Sequence, residues 1–87
     1  MSYSLTIAAD ASADLRRLDP SLQEAVLDEL DVLAADVGLL PPAIRGSQLV
    51  YGFRCTSGNV LHHFTMVLAR NDQQEKLIVL GVAHRQR

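Results

Sequence analysis

The sequence predicts an α+β domain in which a helical hairpin covers one face of a mostly antiparallel four-stranded sheet, with elements ordered strand, helix, helix, strand, strand, strand. Three observations carry that expectation. Leu22, Val26, Leu30, Leu33 and Val37 recur at steps of four and three, the mark of a helix with one apolar face. From Leu49 the apolar period drops to two. Turn-forming clusters at 56–59 and 70–75 then divide the rest into three consecutive strand-like runs, which short turns join into a meander.

The first strand is read over residues 3–8, where Tyr3, Leu5 and Ile7 alternate, and Asp10 is placed to cap the helix after it. Ala11, Leu15 and Leu18 share one face of that first helix, over 11–18, and Asp19-Pro20 stops it. Pro20 opens the second helix behind Asp19, at a position where its missing N–H costs nothing. Glu24, Asp28 and Asp31 line the polar side of that helix, and Gly38 ends it ahead of the Leu39-Leu-Pro-Pro42 break. The second strand alternates Leu49, Tyr51, Phe53 and Cys55 against Val50, Gly52, Arg54 and Thr56. The third, 60–69, carries Val60, Phe64, Met66 and Leu68 as its core set, with Leu61, His63, Thr65 and Val67 facing outward. The last strand, Lys76-Leu-Ile-Val-Leu-Gly-Val-Ala-His-Arg-Gln-Arg87, is apolar on both faces and ends in a polar cluster. The uncovered sheet face is expected to hold Val50, Leu61, Val67, Leu77 and Val79 beside Arg54, His63 and Arg85, an apolar stripe of the kind that meets a partner.

A chain of 87 residues supports one domain, spanning 1–87, because so short a chain buries only roughly 60–65% of its unfolded surface. Its charge is divided. Residues 1–44 hold eight acids against Arg16 and Arg17, a balance of −6, while 45–87 hold six bases against Asp72 and Glu75, a balance of +4, for a net −2. The second half is therefore the anion-binding half, yet a sequence pI of 5.8 excludes a protein that grips nucleic acid by bulk charge. The lone Cys55 excludes an internal disulfide, no His or Cys spacing resembles a closed zinc site, and no cofactor is expected. With no export-like N-terminus and no apolar run approaching ~18 residues, a soluble cytoplasmic protein without membrane contact is expected.

The polar residues converge on one end of the sheet. If Gly58-Asn59 is a two-residue loop, Arg54 lies opposite His63; if Ser57-Gly58 is the loop, the two are diagonal neighbours; a three-residue loop would put Arg54 opposite His62. The last turn brings His84 and Arg85 beside Leu61, His62 and His63. Such a cluster suits RNA cleavage by 2′-hydroxyl attack on the adjacent phosphate, a metal-independent reaction needing a base, an acid and fixed positive charge. Histidine titrates near neutrality and serves either proton-transfer role, and arginine holds two phosphate oxygens at once. Arg45 and Arg87 are candidate backbone-phosphate contacts or solvated charges, Arg70 is a turn residue, and Cys55 is a buried thiol.

Several of these segments resemble the RelE/ParE superfamily of toxins from bacterial type II toxin–antitoxin pairs. Ile44-Arg45-Gly46 resembles the family's Leu-Lys/Arg-Gly step, Tyr51-Gly-Phe-Arg54 its Tyr-Arg strand, and Val79-Leu-Gly-Val-Ala-His-Arg85 its terminal His-Arg strand. The likeness spans nearly the whole chain and implies a cytoplasmic toxin wrapped by a cognate antitoxin. It carries over Arg54, His63, His84 and Arg85 as the catalytic set. The chain departs from ribosome-dependent members in having a single Lys, no terminal Tyr, and His62-His63 where many carry an Arg. Three readings are open: an endoribonuclease cutting mRNA at the ribosome and stopping translation, a non-enzymatic inhibitor of DNA gyrase, and an inactive toxin-like partner-binding module. Without its antitoxin, the apolar open face predicts a homo-oligomer.

Overall fold

The computed structural model describes residues 2–86 and has the element order expected from the sequence. Strand β1 (Ser4–Ile7) leads into α1 (Ala9–Arg16) and α2 (Pro20–Ala35), a 3-10 turn at Val37–Leu39 comes next, and β2 (Gln48–Ser57), β3 (Val60–Asn71) and β4 (Lys76–Gln86) complete the sheet. Its order is β1-β4-β3-β2. The two hairpin pairs are antiparallel, and β1 joins β4 in parallel, with Ser4 opposite Lys76 and Ile7 opposite Val79.

The core lies between the helices and one sheet face. Ala11, Leu15, Leu22, Val26, Leu30 and Leu33 from the helices meet Leu49, Phe64, Met66, Leu68, Leu77 and Val79 from the strands. Burying each large aliphatic side chain contributes roughly 1.5–3 kcal/mol, so this layer supplies most of the driving force. Outlying ties fix its periphery. Tyr51 donates to Glu29 Oε1 at 2.6 Å, joining β2 to α2. Asp72 accepts from both Tyr3 and Arg70, each at 2.6 Å, joining the chain's start to the β3–β4 turn.

The helix ends differ from expectation. Helix α1 begins at Ala9, so Asp10 sits inside its first turn and does not cap it. The cause is the tight β1–α1 junction: Ala8 donates to Val79 as the last rung of the sheet and accepts from Ser12 as the first of the helix. Asp19 does occupy the position before Pro20, but its backbone carbonyl, not its side chain, takes the Leu22 and Gln23 N–H groups. Helix α2 stops at Ala35, and Gly38 lies in the 3-10 turn beyond it, where its N–H donates to the Asp36 side chain.

A larger difference lies in β4. Leu68 pairs with Val79 and Val67 with Gly81, which leaves Leu80 as the extra residue of a β-bulge. The extra residue reverses the strand's alternation. Leu77 and Val79, expected on the open face, are instead fully buried against the helices, while beyond Leu80 the even-numbered Val82 takes the core side. The open face at this level carries the half-buried Ile78.

Candidate phosphate-binding row on the open sheet face

Gly58 and Asn59 form the β2–β3 loop, with Gly58 at φ 62° and no positive φ at Asn59. That glycine-first pattern belongs to a type II′ hairpin and pairs Ser57 with Val60. Three rungs further in, Arg54 stands opposite His63, and across the next pair His63 stands opposite Arg85. Directly opposed residues project to the same face with Cβ atoms about 5 Å apart, so Arg54, His63 and Arg85 form one row across β2, β3 and β4. The row is on the side the helices leave uncovered. Both arginines are exposed and His63 is half-buried between them.

The neighbouring row is built of small residues: Gly52 opposite Thr65, and Thr65 opposite Ala83. Beside His63 and Arg85 this leaves a depression of about 380 Å³, lined by His63, Thr65, Ala83, His84 and Arg85. A phosphodiester placed there would meet the Arg85 guanidinium and the His63 imidazole, with Arg54 beyond His63 in the same row. Thr65 and Ala83 carry no chemistry that marks them as site residues in the sequence, although the same alternation that selects His63 and Arg85 places them two positions away.

His84 and His62 stand elsewhere. Phe64 is the residue opposite His84, and both project to the helix side, where their rings stack with centroids 4.8 Å apart. His62 lies on that side too, and its Nδ1 is 2.8 Å from His84 Nε2 in a hydrogen bond whose donor depends on the tautomer. The structure thus brings Arg54, His63 and Arg85 together and directs the His84 ring to the opposite face.

Arg45 is remote from the row. It closes a tight turn with Gln48, six residues and therefore about 20 Å of strand before Arg54. There it borders a shallow groove of about 220 Å³ with Ile44, Gln48, Leu49, Val50 and Val67. Among the described residues Ile44 is the most exposed large apolar one, at 73%, so this end of the open face is apolar and the Arg54 end is cationic. Arg87 lies outside the described residues. Arg70, expected as a turn residue, is the last but one residue of β3 and is held by Asp72, which raises its already high pKa. Cys55 is half-buried against the core.

The sequence matches no protein-family model, and no curated protein matches it. Solved structures do. A mutant of Escherichia coli toxin RelE in the free state superposes with a TM-score of 0.72 at 19% identity, covering 95% of this chain and 83% of that one. The toxin–antitoxin complex RelBE2 from Mycobacterium tuberculosis gives a TM-score of 0.72 at 19% identity over 98% of this chain and 100% of the matched one. Two helices on one face of a four-stranded mixed sheet of order β1-β4-β3-β2 therefore constitute a RelE-like α+β fold.

Proposed function

We propose that this protein is the toxin of a type II toxin–antitoxin pair and an endoribonuclease that cleaves mRNA at the ribosome, stopping translation. The observation that carries this reading is the Arg54–His63–Arg85 row, an imidazole flanked by two guanidinium groups on an uncovered sheet face. In the reaction His63 accepts the 2′-hydroxyl proton as that oxygen attacks the adjacent phosphorus. The P–O5′ bond breaks, leaving a 2′,3′-cyclic phosphate and a 5′-hydroxyl. Arg54 and Arg85 hold the charge that develops on the phosphorane oxygens. One imidazole on this face fills one proton-transfer role, and water at this exposed row protonates the leaving oxygen.

The net charge of −2 gives no bulk attraction for RNA, which suits a substrate presented by the ribosome to a local cationic site. The antitoxin is the natural cover for Ile44, Val50 and Val67, the apolar end of the same face. It shields the row by lying along the sheet.

The test is to induce the gene alone in a bacterial host and pulse-label new protein and new DNA over the next few minutes. Protein synthesis should fall first, and His63→Ala and Arg85→Ala should each slow RNA cleavage by roughly 10²–10³-fold. His84→Ala should leave it within a few-fold of the parent. DNA synthesis falling first would move the case to gyrase, and full toxicity in folded His63→Ala and Arg85→Ala proteins would remove the row from the mechanism.

A further inference from the structure

We propose that the row of Gly52, Thr65 and Ala83 seats the base of the nucleotide whose 2′-hydroxyl attacks, with the Thr65 hydroxyl bonded to the base edge. This deepens the reading above and rests on the neighbouring row being a phosphate site. Gly52 lies opposite Thr65 and Thr65 opposite Ala83, all three exposed on the side the helices leave open. Along each strand they are two residues from Arg54, His63 and Arg85, so the two rows run side by side about 7 Å apart. One ribose bridges that distance. With its 3′-phosphate at Arg85 and its 2′-hydroxyl at His63, its base comes to rest over Thr65.

Gly52 is the observation that points to a ligand. Glycine weakens the middle of a strand, where it gives up conformational freedom and offers no side chain to its neighbours. Nothing in the packing calls for it. Within 4 Å a Cβ there would meet only the Phe64 carbonyl oxygen, at 3.6 Å, an ordinary van der Waals contact, and the residue's φ is not positive. What a side chain at 52 would fill is the space above the sheet, and a bare strand interior of this kind marks a close approach by another molecule. Thr65 and Ala83 are short too, and they border the depression of about 380 Å³. That volume is near the lower end of the range for ligand pockets, about 300–1,000 Å³, and is room for one nucleoside but not for a stack of several.

The low floor lets a flat ring lie close to the backbone, against the Ala83 methyl and the Thr65 side chain. Thr65 has the one hydrogen-bonding side chain of the three, and its hydroxyl can donate or accept, so it meets a purine or a pyrimidine edge alike. One row further, Val67 lies opposite Val50 and Gly81, and both valines are exposed. They bound the seat with an apolar edge that offers nothing to a phosphate, so the base and not the backbone points this way. The base is gripped without strong sequence preference, as suits an RNA whose register the ribosome sets.

The experiment is an amide NMR titration of the full chain with uridine 3′-monophosphate, adenosine 3′-monophosphate and inorganic phosphate, which reads binding without turnover. All three should shift His63 and Arg85, and only the two nucleotides should also shift Gly52, Thr65 and Ala83. Thr65→Val, which keeps the shape and removes the hydroxyl, should weaken nucleotide binding about fivefold and leave phosphate binding unchanged. Gly52→Val fills the seat with a residue that strands favour and should remove the nucleotides' advantage over phosphate. Nucleotides that shift only the residues phosphate shifts, undiminished nucleotide binding in either variant, or no binding of any of the three would each overturn the proposal. A protein that cleaves RNA but shows no base-dependent shift keeps the catalytic reading and loses the seat. One that binds the nucleotides at these residues and cleaves nothing keeps the seat and loses the catalytic reading. The titration of the parent protein decides the matter even if a variant does not fold.

Discussion

The bulge at Leu80 makes a prediction that two neighbouring substitutions can decide. Before the bulge, Leu77 is fully buried among helix side chains and Ile78 is half-buried on the open face. Leu77→Ala removes three buried carbons, about 2.4 kcal/mol of transfer free energy, and leaves a cavity, for a total of about 3–4 kcal/mol. Ile78→Ala removes as many carbons from a site that water already reaches, and should cost about 1 kcal/mol. At about 8 kcal/mol, the middle of the range ordinary for an 87-residue domain, both variants should fold. With a urea m-value of about 1 kcal/mol/M, the midpoint should fall by about 3 M for Leu77→Ala and about 1 M for Ile78→Ala at unchanged m. Equal losses, or a larger loss for Ile78→Ala, would mean that β4 faces the other way ahead of Leu80. The bulge would then not exist, and the continuity that aims Arg85 at the same face as His63 would have to be rebuilt.

Two further substitutions probe the ties around the core. Tyr51→Phe deletes the hydrogen bond to Glu29 and should cost about 1 kcal/mol at neutral pH, read by urea melts. That bond, with partial burial, pushes the Tyr51 phenol up from 10.0 to about 12. The folded state holds this proton more tightly than the unfolded chain, so the contribution is intact below pH 10 and declines as pH rises toward 12. The gap in melting temperature between parent and Tyr51→Phe should therefore be constant up to about pH 9 and close above it, and a gap that widened with pH would contradict the assignment. In Asp14→Ala the half-buried Val82 N–H, which donates to Asp14 Oδ2 at 3.1 Å, loses its acceptor. The cost should be about 1–2 kcal/mol, with faster amide exchange at Val82, and unchanged exchange there would show that the bond contributes little.

Much of this fold is legible in the sequence because its signals are local. The steps from Leu22 through Leu33 define a helix face, and the alternation from Leu49 to Thr56 a strand, each within a dozen residues. Opposition of Arg54 and His63 comes from a loop of only two residues, where register has little freedom. The features that escape depend on pairings the chain does not announce. Lys76 to Val82 is apolar at nearly every position, so nothing in it distinguishes a regular strand from one bulged at Leu80, and unbroken alternation assigns the faces of Leu77 and Val79 in reverse. For the same reason the contact between the His62 and His84 rings is invisible until β3 and β4 are aligned. The start of α1 is misplaced because Asp10 has the chemistry of a cap, whereas Ala8 is already fixed by its bond to Val79.

The place of β4 in the sheet has a kinetic consequence. Its neighbours are the earliest strand and the one just before it, and Ser4 meets Lys76, 72 positions along the chain (76 − 4). Until β4 is inserted, β1 has no partner, Leu77 and Val79 are missing from the buried strand layer, and the third member of the row is not in place. Contacts of such long sequence separation are entropically expensive to close, which slows folding relative to a helical domain of equal length. Completion of the core and completion of the row are therefore one event. An immature chain that has not docked its last strand exposes unpaired edges and has no assembled Arg54–His63–Arg85 row.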